Sequence, residues 1–215
     1  EMCIRDSPYG ELYFEGQPLS PLKSMDKNGY VMYLSTFSKT ISPGLRLGWI
    51  CTGKKLIHQL CNIRQLADLH SNCISQQVVE RFIVSGGMAD YLTLIRREYK
   101  ERRDIMAEAL DRYAPPGLSW NIPAGGYYLW CTLPEGVSAE ALAQKAAAGG
   151  VAILPGMPSY LVTRKGEAHV RLNYTFPAKN RISEGIRLLC EAIRELLRLS
   201  KEAAWPAENE INPIL

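Results

Sequence analysis

Lys39 stands among hydroxyl side chains in the run Thr36-Phe37-Ser38-Lys39-Thr40-Ile41-Ser42-Pro43-Gly44-Leu45-Arg46-Leu47-Gly48-Trp49, just beyond the apolar residues 30–34. Arg46 follows seven residues later, after a Pro-Gly turn. A lysine amine forms a Schiff base with an aldehyde once a desolvated or cationic setting lowers its pKa. Hydroxyls and a guanidinium fork suit a phosphate. Together these groups suit pyridoxal phosphate, which carries both an aldehyde and a phosphate. A lysine in a solvated loop would mean little by itself, and it is the length of the run that carries the reading.

The elements that must position these residues can be read from periodicity and turn chemistry. Residues 29–35 form a short apolar strand after the turn Asp26-Lys27-Asn28-Gly29. Residues 45–52 are expected to be a second, buried strand. Helices follow at 54–69, with Leu56, Leu60, Ile63 and Leu66 on one face, and at 75–84, ended by Ser85-Gly86-Gly87. A long amphipathic helix spans 90–113, with Tyr91, Leu94, Ile95, Tyr99, Ile105, Met106 and Leu110 as its apolar stripe. Its arginines and lysines (Arg96, Arg97, Lys100, Arg102, Arg103) read as a solvated face balanced by Glu98, Glu101 and Glu108. Strands at 118–120, 127–132, 151–154 and 169–174, with helices at 139–148 and 182–199, make the second half an α+β unit with mostly antiparallel strands.

Bulk properties narrow the class. The chain has 215 residues and a formal charge of +3, too weak a balance to argue for nucleic acid. Its six cysteines (3, 51, 61, 73, 131 and 190) are scattered, with no CxxC pair, and read as reduced, mostly buried thiols of a cytoplasmic protein. No apolar run approaches the length of a membrane span, no signal peptide is visible, and no histidine pair has metal-ligand spacing. Neither a metal nor a membrane partner is expected.

The Thr36 to Gly48 run resembles the lysine motif of fold-type I aminotransferases, S/T-x-S-K-x-x-x-P-G-x-R-x-G, with every fixed position filled. Further segments resemble the same family. Asp6-Ser7-Pro8-Tyr9 matches its D-x-x-Y element, Pro123-Ala124-Gly125-Gly126-Tyr127-Tyr128-Leu129-Trp130 its P-x-G-G-x-F/Y-x-W segment, and His169-Val170-Arg171-Leu172-Asn173-Tyr174 its late arginine strand. Pro8-Tyr9-Gly10-Glu11-Leu12 and Ala67-Asp68-Leu69-His70 point to the group containing α-aminoadipate-type aminotransferases and the aminotransferase-like domains of MocR regulators of the GntR family.

The resemblance implies roles residue by residue. Lys39 would hold the cofactor as an internal aldimine and later move a proton. Asp6 would pair with the pyridinium nitrogen and Tyr9 with the ring oxygen. Thr36, Ser38 and Arg46 would take the phosphate, and Ser71 would reach the phosphate of a neighbouring subunit. Ser71 reads equally as a helix cap, and His70 as a packed histidine. Arg171 would clamp the substrate carboxylate, although a surface strand arginine is the alternative. The aromatics of 127–130 read either as an active-site rim or as core. The implied activity is transamination between an amino acid and a 2-oxo acid, in a homodimer. The alternative is an effector-sensing domain of a regulator that reaches DNA through an upstream winged helix.

The expected fold class is α/β. Residues 1–87 would be the carboxy-terminal part of the large cofactor-binding domain, 88–199 a complete small α+β domain, and 200–215 a tail. Met2-Cys3-Ile4-Arg5-Asp6-Ser7 resembles one reading frame of a transposon sequencing adapter, which places 2–7, Asp6 among them, outside fold reasoning. The family's glycine-led phosphate helix, ring-stacking aromatic and N-P-x-G asparagine are not found in the sequence. The expectation is therefore a carboxy-terminal fragment, inactive by itself.

Overall fold

The computed structural model describes residues 3–161 and 166–203. The chain divides into two compact units, residues 1–98 with 124–126, and residues 99–123 with 127–215.

In the first unit, β1 (Cys3–Asp6) runs parallel to β2 (Val31–Thr36), and β2 pairs antiparallel with β3 (Gly48–Cys51), giving the order β1-β2-β3. Cys3–Asp6, which the adapter resemblance places outside the fold, is thus a paired strand; Met2 lies outside the described residues. Entry into β2 is fixed by Asp26. Its carboxylate takes the Lys23 ammonium at 2.8 Å and accepts the amides of Asn28, Tyr30 and Val31, and these partners hold it well below the usual carboxylate range.

Two expectations for this unit are corrected. β3 begins at Gly48 rather than 45, because Pro43–Leu45 is a 3-10 turn and Arg46 adopts a left-handed conformation (φ 53°, ψ 37°). Its four residues are exposed, and β3 is the edge of the sheet among the described residues; only Leu47, just before it, turns inward. Secondly, α1 (Lys54–Asp68) forms as the periodicity predicts but buries none of its residues, and Leu66 is 89% exposed. Leu56 and Leu60 on that face are half-buried, whereas Ile63 and Leu66 stand exposed. α2 (Cys73–Val84) follows, with Val79 as its buried residue.

α3 (Gly87–Tyr113) is continuous. Leu92, Ile95, Met106 and Leu110 are buried along it, whereas Leu94, assigned to the stripe from sequence, is exposed. Arg103, read as part of a solvated face, is only 2% exposed. Its guanidinium donates to Asp104 Oδ1 at 2.6 and 2.9 Å and to the Pro123 carbonyl at 2.7 Å. Those partners come from the next residue and from a loop twenty positions away, which helix periodicity does not reveal. Arg102 likewise donates to the Thr175 carbonyl at 2.6 Å.

The second unit is built on a four-stranded sheet in the order β4-β5-β7-β6, from β4 (Ser119–Asn121), β5 (Tyr128–Thr132), β6 (Leu154–Pro155) and β7 (His169–Asn173). Every pairing is antiparallel, as expected. The strand expected at 151–154 is instead the two residues Leu154–Pro155 at the sheet edge, where a proline without an amide is tolerated, and residues 151–153 do not pair. Side chains alternate strictly on the two central strands. Leu129, Cys131, Val170 and Leu172 enter the core, where Leu142 of α4 (Ala139–Ala148) and Leu189 and Ile193 of α5 (Lys179–Ala203) are also buried. Helix α5 runs through 200–203, assigned to the tail from sequence; residues 204–215 lie outside the described residues.

Burial pushes the Cys131 thiol up to about 12, with Cys190 adding to the effect, and burial pushes Cys190 up to about 11. Both folded values lie above that of an unburied thiol, 9.0. Their contribution to stability is therefore complete below about pH 9 and is lost as pH rises through 11 and 12. A thiol-reactive dye at pH 8 should label the exposed Cys51, Cys61 and Cys73 and spare Cys131 and Cys190 until urea unfolds the second unit. Equal labelling rates would contradict the burial.

Candidate active site

Parallel pairing of β1 and β2 sets the geometry. Asp6 pairs with Leu34, so both strands end at the same edge of the sheet. The Ser7 amide donates to the Leu34 carbonyl at 2.9 Å, and the Ser35 hydroxyl donates to the Ser7 carbonyl at 3.0 Å. The carboxyl edge of parallel strands is where α/β sheets place ligands, because the connecting loops diverge there. Lys39 lies in the turn after β2 and Tyr9 in the turn after β1, and Lys39 Nζ sits 5.9 Å from the centre of the Tyr9 ring. Asp6 ends β1 with an exposed side chain.

The hydroxyls of the run are ordered. Thr36 Oγ1 donates to the Leu47 carbonyl at 3.0 Å, accepts the Ser38 amide at 3.1 Å and lies 3.0 Å from Ser38 Oγ. Arg46 is exposed, and its Nη1 reaches the Pro43 carbonyl at 3.2 Å. Its left-handed backbone is uncommon for a residue with a side chain, and such strain collects at ligand sites. An amine, hydroxyls and a guanidinium held by one carbonyl form a donor set that fits a phosphorylated aldehyde.

Gly48 closes the motif for a steric reason. A Cβ there would stand 2.9 Å from the Ser35 carbonyl oxygen of the paired strand. Gly48→Ala should destabilise the first unit by about 1–3 kcal/mol, read by urea denaturation. An unchanged midpoint would show that the strands can part without loss.

Ser71 does not cap α2. The cap is Asn72, whose Oδ1 accepts the Ser75 amide at 3.0 Å. Ser71 Oγ instead accepts from Arg64 Nη2 at 3.0 Å, and its carbonyl accepts from Gln76 Nε2 at 2.9 Å. With Phe37, Leu47, Trp49 and Val79, Ser71 lines a groove beside the lysine run. His70 is exposed, not packed as expected, with Nδ1 2.9 Å from the Ser71 carbonyl.

Arg171 belongs to the second unit, on the outward face of β7. Its Cζ lies 4.2 Å from the centre of the Tyr128 ring, and its Nε is buried without a hydrogen-bond partner. Tyr128 and Trp130 alternate with the core residues Leu129 and Cys131, so they are not core. The alternation was visible in the sequence; the stacking was not. The glycines of the preceding loop allow close backbone approach, since a Cβ on Gly125 would meet the Leu12 carbonyl oxygen at 2.2 Å.

The profile of the family "Aminotransferase class I and II" matches residues 2–192, and the chain belongs to that family. Its fold is of the α/β class. Among individual relatives, the chain is 39% identical over 197 residues to aromatic-amino-acid aminotransferase 1 of Thermococcus litoralis, covering 92% of this chain and 47% of that protein. It is 36% identical over 194 residues to the uncharacterized HTH-type transcriptional regulator YisV of Bacillus subtilis, covering 90% of this chain and 40% of the regulator. Among solved structures it resembles LysN, the α-aminoadipate aminotransferase of Thermus thermophilus, in complex with N-(5'-phosphopyridoxyl)-L-leucine. The TM-score there is 0.86 at 35% identity, over 92% of this chain and 51% of LysN. The chain thus spans about half the length of the proteins it matches.

Proposed function

We propose that the whole protein is a pyridoxal-phosphate-dependent aminotransferase that moves an amino group between an amino acid and a 2-oxo acid. One observation carries the reading: Lys39 and Tyr9 meet at the shared end of two parallel strands, inside a run of phosphate-suited donors. Thr36, Ser38 and Arg46 would hold the phosphate, with Ser71 as a further donor from a neighbouring subunit. Asp6 would keep the ring nitrogen protonated, and the Tyr9 hydroxyl would meet the ring oxygen. When bound, the cofactor supplies an electron-withdrawing ring that stabilises negative charge at the substrate Cα. Lys39 supplies the amine that anchors the cofactor and then carries the proton to and from that carbon. Arg171 orients the substrate by its carboxylate.

In this reading the first unit is the carboxy-terminal part of a large cofactor-binding domain, the second is the small domain, and the chain is a fragment of a longer homodimeric protein. The names of the relatives favour aromatic amino acids or 2-aminoadipate as amino donors. Six free cysteines agree with a reducing compartment, and we place the protein in the cytoplasm. No helix among the described residues is long and apolar enough to cross a membrane.

A second reading has its own support in the match to YisV: an effector-sensing domain behind a DNA-binding module. The test is to sequence the gene upstream of residue 1 and assay the full-length product. A start close to the large domain, with amino transfer from phenylalanine or 2-aminoadipate to 2-oxoglutarate, supports the enzyme. An upstream winged helix, with cofactor binding but no turnover, establishes the regulator.

A further inference from the structure

We propose that Tyr128 is a positioning residue for Arg171, its ring supporting the guanidinium so that the two terminal nitrogens, Nη1 and Nη2, meet a substrate carboxylate end-on. The inference rests on the role given to Arg171 above. In the β5–β7 register Tyr128 faces Asn173 and Trp130 faces Arg171, so Tyr128 is the diagonal neighbour of Arg171 on the outward face. Its ring centre is 4.2 Å from Cζ, well within cation–π range. Leu154 pairs with Arg171 on the other side, from β6. Aromatic and apolar residues therefore flank the guanidinium, and no described carboxylate forms an ion pair with it.

That environment selects the mode of binding. A cation set against apolar walls without a counter-charge is costly, so an arriving carboxylate gains more from it than from a paired arginine. Nε is buried and unpartnered, which closes the side of the fork that a side-on carboxylate would use. An aromatic face attracts the cation but accepts no N–H in the guanidinium plane, so stacking fixes the plane without consuming either Nη.

Calorimetry on the full-length, cofactor-loaded protein tests this, with 3-phenylpropanoate, a carboxylate without an amino group, as probe. Arg171→Ala should abolish detectable binding. Tyr128→Leu should weaken it about 2- to 30-fold and raise KM for the amino donor while leaving kcat nearly intact. Tyr128→Phe should bind as the natural protein does, because the ring face is kept. Tyr128→Met, which fills the volume without a π face, serves where the leucine variant folds poorly and should behave like it. Unchanged binding in Tyr128→Leu or Tyr128→Met, with binding lost in Arg171→Ala, would overturn the positioning role and leave the assignment of Arg171 standing. Loss in Tyr128→Phe equal to that in Tyr128→Leu would overturn it too, by showing that the hydroxyl acts. Full binding in Arg171→Ala would overturn the assignment of Arg171 and the positioning role with it.

Discussion

Lys39→Ala in the full-length protein should end amino transfer and remove the visible absorbance of the bound cofactor. Loss of the positioned proton carrier alone should lower the rate by about 10²–10⁴-fold; loss of covalent anchoring removes more. The motivation is position. Lys39 is the lysine that the shared end of β1 and β2 sets beside Tyr9. Borohydride reduction of the loaded protein, followed by peptide mapping, should place the pyridoxyl label on the peptide containing Lys39. A label on another lysine would refute the assignment, whatever the activity of the variant.

Removing the two arginines should give different failures. Arg46→Ala should release the cofactor during dialysis, because the phosphate loses a charged donor beside Thr36 and Ser38. Arg171→Ala should keep the cofactor, raise KM and lower kcat/KM. Each lost charged hydrogen bond is worth about 1.5–3 kcal/mol, or roughly 10- to 150-fold in the corresponding constant. The readouts are cofactor content after dialysis and steady-state kinetics. Equal cofactor loss in both variants would contradict the division of roles.

Much of the first unit was legible because its chemistry is local. The spacing from Thr36 to Gly48 carries the amine, the hydroxyls and the guanidinium within one turn and one strand start, and the steric reason for Gly48, the Ser35 carbonyl, lies only thirteen residues back. What stayed hidden depends on distant partners. Arg103 looked like any solvated helix arginine until the Pro123 carbonyl came within 2.7 Å. The Leu56, Leu60, Ile63 and Leu66 stripe has the right period, yet a period cannot say whether anything covers it. The start of β3 was misplaced because an arginine in left-handed conformation leaves no compositional mark. The stacking of Tyr128 on Arg171 depends on a register between strands some forty residues apart.

The Thr36 hydroxyl has a consequence of its own. A hydroxyl owns a single proton, and that of Thr36 goes to the Leu47 carbonyl, eleven residues along the chain. Threonine here is a rivet between the end of one strand and the approach to the next, and the Ser38 hydroxyl, 3.0 Å away, is left to donate to Thr36 Oγ1. The two look interchangeable in the motif, but only Thr36 reaches across to the approach to β3. A valine at 36 would keep the shape but leave the Leu47 carbonyl with the Phe37 amide alone and the Ser38 amide without its acceptor, so the turn should loosen and the lysine with it. An alanine at 38 would keep the bond from Thr36 to Leu47 and remove the shorter link between the two hydroxyls, along with a donor for an anion.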